Sequence, residues 1–276
     1  MTVSALTIAG SDPSGGAGLQ ADLKAFEQLG VYGMSVITLL TVQNTQGVEH
    51  VETIAAELVE QQLGAVIDDI QPHAIKTGAL GDGEILRAVT DRLTHLADLP
   101  HVVIDPVLVS KHGHRLADDA IIDDYRERLL PLATVVTPNR FEAEALLELP
   151  NGSLDKDTTE QSWLSAAKRL RDFGPQAVLL KGGRVGSERV HAYCDGVEES
   201  LIRTQDIDTR KTHGAGCNLS ATLTALLALN RMELQAACHQ AIEAVSSAIK
   251  FAPNLGSGQG PLQTQMLREY RPPRIR

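Results

Sequence analysis

Aromatic residues are scarce in this chain: they make up 3% of its 276 residues, with a single Trp. Any large core must therefore be aliphatic, built from strands and helices rich in Val, Ile, Leu and Ala. Cysteine is nearly absent too. Cys194, Cys217 and Cys238 form an odd set with no C-x-x-C pair, which excludes a disulfide framework and a structural zinc site. No apolar run is long enough to span a bilayer as a helix. The opening residues, MTVSALTIAGSD, lack the basic start and long apolar core of a secretory signal, so a reducing cytoplasm is expected. Basic residues are outnumbered, 25 Lys and Arg against 35 Asp and Glu, for a net charge of −10. That balance argues against general nucleic-acid binding. An anionic substrate would need local positive groups to overcome the background field. No internal repeat or low-complexity segment is present.

What the chain does have is alternation. Short apolar runs that read as strands occur at 4–9, 36–40, 73–78, 101–107, 134–137 and 177–180. Helical spacing of apolar residues occurs between them, at 19–29, 55–70, 84–96, 118–132 and 163–173. A hairpin pair at 189–193 and 201–204 follows, then helices over 219–229 and 234–251. The segment 150–158 and the tail from 256 onward read as surface. Alternation of this kind predicts an α/β fold, with a mainly parallel central sheet and helices on both faces. One domain over residues 1–276 is expected. The polar candidates lie in strand-end loops, so they should gather along one edge of the sheet.

The organising stretch is TRKTHGAGCNLSATLTALLAL, residues 209–229. Arg210 and Lys211 lead into a turn containing Gly214, Ala215 and Gly216, and Cys217 opens an apolar helix. Glycine lets the backbone approach a ligand, and the first amides of a helix have no partner within it. The helix dipole adds positive potential, so the turn suits a phosphate. The same fields should lower the Cys217 thiol pKa. A helix start with a small buried cysteine fits the motif as well.

Other loops add candidates. GSDPSGGAG, residues 10–18, joins the first strand to a helix but is neither a P-loop nor a dinucleotide turn. Gln43 and Asn44 follow the second strand, where an amide could read the edge of a heterocycle or simply face solvent. Asp105 ends a strand and could orient a metal-bound water or a lysine. Lys111 is a candidate phosphate cation. His101, His112 and His114 stand near it but lack the carboxylate or cysteine that would complete a metal site. Asn139 and Glu142 begin a helix three residues apart, which fits an oxygen site for Mg²⁺ and an N-terminal capping box equally well. Lys181 ends the strand before Gly182 and Gly183.

Read together and in order, GSDPSGGAG, TVQNTQGV, IKTGAL, VVIDPVLVSKHGHRL, TPNRFEAEALL, LLKGG and THGAGCNLSATLTALLA resemble the bacterial hydroxymethylpyrimidine/phosphomethylpyrimidine kinases of thiamine biosynthesis. These are members of the ribokinase-like superfamily, and vitamin B6 kinases are the nearest confusable group. The resemblance implies a ribokinase-like fold and a cytoplasmic homodimer. It implies ATP and Mg²⁺ as cofactors and small-molecule substrates, with neither a nucleic-acid nor a membrane partner. By resemblance, Gly10, Asp12 and Ala17 line the pyrimidine pocket and Gln43 bonds the ring. Asn139 and Glu142 match an Asn-x-x-Glu motif near Mg²⁺ and the phosphates, and Lys181 lies on the nucleotide side. Cys217, Gly214 and Gly216 form the catalytic turn, with Ala215 on the nucleotide side. Ala215 and Asn218 stand where threonine is usual, His112 and His114 where Ser and Asp are more frequent, and Arg184 where His is frequent. The implied activity is phosphorylation of the hydroxymethylpyrimidine and then of its monophosphate. Pyridoxal phosphorylation and binding without turnover are the competing readings.

Overall fold

A computed structural model describes residues 2–108, 119–156 and 159–273. Lys111, His112 and His114 lie outside the described residues. The chain runs β1 (Ser4–Ser11), α1 (Gly18–Leu29), β2 (Tyr32–Gln43), β3 (Val48–Thr53), α2 (Ala56–Ile67), β4 (Ala74–Thr77) and α3 (Gly83–Thr94). It continues through β5 (His101–Ile104), α4 (Asp119–Asp124), β6 (Val135–Val136), α5 (Arg140–Leu146), α6 (Ser153–Lys156) and α7 (Glu160–Arg171). β7 (Ala177–Val185), β8 (Glu188–Cys194), β9 (Glu199–Gln205), α8 (Ala215–Leu229) and α9 (Leu234–Lys250) follow, and a 3₁₀ helix over Thr264–Tyr270 comes last.

The strands form one sheet in the order β3-β2-β1-β4-β5-β6-β7-β8-β9. The stretch from β2 to β7 is parallel, and β3, β8 and β9 extend it antiparallel at the two ends. The chain leaves β1 toward β2 on one side and returns to β4 on the other. That reversal opens a crevice at the carboxyl ends of the strands, the usual binding position in such sheets.

Side chains alternate across the sheet with period two, and both faces are covered. Leu6, Ile8, Ile75, Val102, Ile104, Val178 and Leu180 share one core layer with residues of α2, α3 and α7. Ala5, Ala74, Val103, Val135, Ala177 and Leu179 share the other with α1, α8 and α9. The small Ala side chains on this second face let α8 lie close to the sheet. Helix α8 is buried almost all round, as its largely apolar sequence without a charged residue requires.

The expected fold class holds, with local corrections. The second strand is twelve residues long, and its end folds back into β3 as a hairpin. The sequence of β3, VEHVET, is a largely exposed edge strand without an apolar face, so periodicity does not reveal it. The single helix expected over 118–132 changes winding twice, with a π turn over Tyr125–Leu129 and a 3₁₀ turn over Leu130–Leu132. Pro131 lacks the N–H that a regular helix would use there. Residues 153–156 of the expected polar loop make one helical turn. The tail is not all surface: Leu262 and Leu267 are buried beside α1 and α9.

Candidate active site

On the face covered by α8, five of the six parallel strands, β1, β4, β5, β6 and β7, make the same change near their carboxyl ends. Two residues beyond Ala5, Ala74, Val103, Val135 and Leu179 stand Thr7, Lys76, Asp105, Thr137 and Lys181. Period two keeps each pair on one face, so the apolar layer gives way to a polar tier beneath the start of α8. The tier is closely paired. Lys76 donates to Asp22 of α1 at 2.7 Å, with both side chains fully buried. Thr7 donates to the same carboxylate oxygen at 2.6 Å. Lys181 pairs with Asp105, which also accepts from Thr137 and Ser220, each at 3.3 Å.

The N-terminus of α8 rests on this tier. Gly214 takes a left-handed φ of +74°, and a Cβ there would collide with the Gly16 carbonyl oxygen. A Cβ on Gly216 would come 3.3 Å from the Lys181 ammonium and 3.6 Å from Asp105. The glycines therefore let two segments and a cation crowd one turn. The Ala215 amide donates to the Thr212 carbonyl at 3.2 Å. Gly216 and Cys217 bring their amides to the first turn of a fifteen-residue helix, where an anion is favoured.

The sequence expectation for Cys217 fails at this turn, and the two basic residues before it do not supply the charge beneath it. Burial pushes the Cys217 thiol up rather than down, although Lys76 and the Gly18 amide oppose that rise. Nearby Asp22 and Asp105 add to the rise. Arg210 is exposed and the Lys211 ammonium turns to the Ala252 carbonyl at 3.4 Å. The cations beneath the turn are Lys76 and Lys181.

The loop between β1 and α1 closes the other side. Asp12 is 2% exposed. Its carboxylate accepts from the Ser14 amide at 2.9 Å, the Ser14 hydroxyl at 2.8 Å and the Ala17 amide at 2.8 Å. It also accepts from His213 Nε2 at 2.7 Å. Burial alone would raise its pKa, but these hydrogen bonds, His213 foremost, hold it down at about 2. The Gln43 side-chain amide reaches the same His213 nitrogen at 3.3 Å. The tip of the β2–β3 hairpin is tied to the glycine-rich segment near the C-terminus: the Gln259 amide donates to the Thr45 carbonyl at 2.7 Å.

Asn139 and Glu142 form the capping box expected of their spacing, with reciprocal bonds of 3.1 and 2.7 Å. Glu142 is nevertheless in the cavity wall and 2% exposed. Burial pushes its carboxyl up to about 8; Lys181 works against that and Asp105 adds to it. Farther along, Arg184 and Arg189 both pair with Asp206, at 2.7 and 2.6 Å.

One cavity of about 830 Å³ joins these parts. Gly10, Asp12, Ala17, Gln43, Asn139, Glu142, Lys181, Gly214, Ala215, Gly216 and Cys217 all line it. It is large enough for two small molecules.

The model of a family described as phosphomethylpyrimidine kinase matches residues 12–263. The chain belongs to that family. A hydroxymethylpyrimidine/phosphomethylpyrimidine kinase of Synechococcus elongatus is 44% identical, over 94% of this chain and 95% of its own. The crystal structure of a Clostridium difficile phosphomethylpyrimidine kinase aligns with a TM-score of 0.76 at 35% identity, covering 90% of this chain and all of that one. The ADP complex of Bacillus subtilis pyridoxal kinase aligns with a TM-score of 0.85 at 36% identity, covering 98% and 100%. The fold of this phosphomethylpyrimidine kinase family member is thus ribokinase-like, as its motifs imply.

Sequence reasoning missed Lys76, Asp22 and His213. A signal existed for the first two. Lys76 interrupts a buried four-residue strand, and Asp22 sits on the apolar side of α1 between Leu19 and Phe26. A charge on each of two core-facing surfaces asks for a partner. His213 carried no such signal, since its partner lies 201 residues away. Among the described residues, no cluster of His, Cys, Asp and Glu could by itself hold a metal, and no helix is long and apolar enough to cross a membrane.

Proposed function

We propose that this chain transfers a phosphoryl group from ATP to 4-amino-5-hydroxymethyl-2-methylpyrimidine, and then to its monophosphate, as thiamine biosynthesis requires. The observation that supports this most is the single cavity whose lining brings together the Gln43 amide, the anion-binding turn before α8 and the Lys181 cation. The ring sits against Gln43, beside the loop of Gly10, Asp12 and Ala17. The nucleotide lies toward Lys181, Asn139 and Ala215. The Gly216 and Cys217 amides, with the Gly214 turn, hold the transferred phosphoryl oxygens, and Lys181 neutralises charge that builds there.

Cys217 acts as a thiol near neutral pH, because burial raises its pKa. It holds the hydroxymethyl group in line, and the alcohol proton leaves late in a loose transition state. In the second transfer the acceptor is already an anion and needs no such help.

The residues suit Mg²⁺ of the kind shared with nucleotide phosphates. The donors are few, Glu142 with Asp105 behind it, and Mg²⁺ keeps waters and takes only one or two carboxylates. Held there by Glu142, the ion would supply positive charge to neutralise the phosphates. We further read residues 1–276 as one kinase domain, acting as a cytoplasmic homodimer.

A second reading, pyridoxal phosphorylation, is favoured by the closer structural agreement with a pyridoxal kinase than with a pyrimidine kinase, TM-scores of 0.85 and 0.76. The test incubates purified protein with Mg-ATP and either hydroxymethylpyrimidine or pyridoxal, followed by mass spectrometry. Mono- and diphosphorylated pyrimidine is the expected result. Pyridoxal phosphate alone would move the substrate, and no product from a folded protein would leave ligand binding without turnover.

A further inference from the structure

We infer that Asp12 and His213 are positioning residues that fix which way Gln43 presents its amide, so that the substrate ring must offer this residue a hydrogen-bond acceptor. The inference rests on the reading that Gln43 faces the ring. All four groups on the Asp12 carboxylate are donors: the Ser14 amide and hydroxyl, the Ala17 amide and His213 Nε2. A carboxylate accepts from all of them and donates to none. At 2.7 Å from that oxygen, a lone pair on His213 Nε2 would be repelled, so this nitrogen carries its proton whether the ring is neutral or charged.

The consequence passes to Gln43. Its side-chain nitrogen position lies 3.3 Å from His213 Nε2. Two N–H groups cannot bond each other. Amide oxygen and nitrogen are assigned from the network around them, and this network puts Oε1 toward the imidazole. The NH₂ group then points into the cavity as a donor. A ring nitrogen with a free lone pair satisfies it; a ring N–H in that place does not. Asp12 thus selects for the heterocycle through His213 and Gln43, and the 201-residue separation of Asp12 and His213 hides the connection from any local motif.

Two measurements test this. The first is ¹⁵N NMR of histidine-labelled wild-type protein, with His213 assigned by its absence from the His213→Asn spectrum. A protonated Nε2 is expected; a tautomer protonated only at Nδ1 would overturn the inference. The second is steady-state kinetics of Asp12→Asn with hydroxymethylpyrimidine. An amide at position 12 must turn one N–H against a donor, so KM for the pyrimidine should rise about tenfold. KM for ATP should stay within about twofold and kcat should change less than KM. In a Gln43→Ala background, Asp12→Asn should add nothing further; an undiminished tenfold rise there would overturn the link to Gln43. A wild-type protein that phosphorylates no pyrimidine would end the functional reading, and the tautomer spectrum would still decide the geometry.

Discussion

At the substrate end of the cavity the walls are loops that touch one another, whereas at the phosphate end they are strand ends that carry charge. The loop between β1 and α1, the β2–β3 hairpin and the glycine-rich segment near residue 259 meet through backbone contacts and polar side chains, with Asp12 and His213 at their centre. Lys181, Asp105 and Glu142 instead stand on or beside β7, β5 and α5, and the parallel register of the sheet sets their spacing. The first arrangement depends on shape and the second on compensated charge. They should therefore fail differently.

The largest effect is expected at the charged end. Lys181→Met removes the cation beside Gly216 and should lower kcat about 10²- to 10³-fold. It also leaves Asp105 buried without its counter-charge, at a cost of about 3–5 kcal/mol in a denaturant melt. Adding Asp105→Asn should restore most of that stability and none of the activity. Recovery of both together would mean that Lys181 is only structural.

At the shaped end, Gly214→Ala forces a Cβ against the Gly16 carbonyl in a left-handed backbone. Displacing that turn by an ångström should reduce kcat/KM about a hundredfold. A variant with unchanged kinetics would show that the close approach is not used.

Cys217→Ala lies between the two ends and separates the two phosphorylations. The first should slow about ten- to a hundredfold and the second by less than about threefold, followed by product mass spectrometry. Equal loss in both steps would remove the proposed role of the thiol.

The smallest effect concerns Glu142. Its carboxyl is raised to about 8 in the folded chain, above the ordinary value of about 4.3. The folded state therefore holds a proton that the unfolded state has lost. The contribution to stability is complete below about pH 4 and falls away as pH rises to about 8. Melting temperatures without metal, taken from pH 5 to 8.5, should drop less steeply in Glu142→Gln, since glutamine keeps the capping box. Parallel curves would place the raised carboxyl elsewhere.

Much of the phosphate end was legible in the sequence because its logic is local. Asp105 and Lys181 each end an apolar run, and the spacing of Asn139 and Glu142 announces a helix start. The alternative between cap and cation site resolves into an observed cap whose Glu142 also lines the cavity. The Cys217 expectation failed because a helix start reveals the dipole but not the burial around it. At the substrate end, Gln43 and the glycines could be named, but not their connection. Contacts such as Asp12 with His213, or Thr45 with Gln259, join segments that no periodicity relates. β3 escaped for a similar reason, since an exposed edge strand needs no apolar face.

The distance between Asp12 and His213 along the chain has a consequence for synthesis. A ribosome adding about 5–20 residues per second reaches His213 about 10–40 s after Asp12. Through that interval the N-terminal loop has four hydrogen-bonding places on its carboxylate and only three of their occupants. The α8 turn that meets Gly16 has not yet been made, so the nascent chain cannot hold a substrate between them. The complete wall therefore arrives late, when segments 201 residues apart first meet.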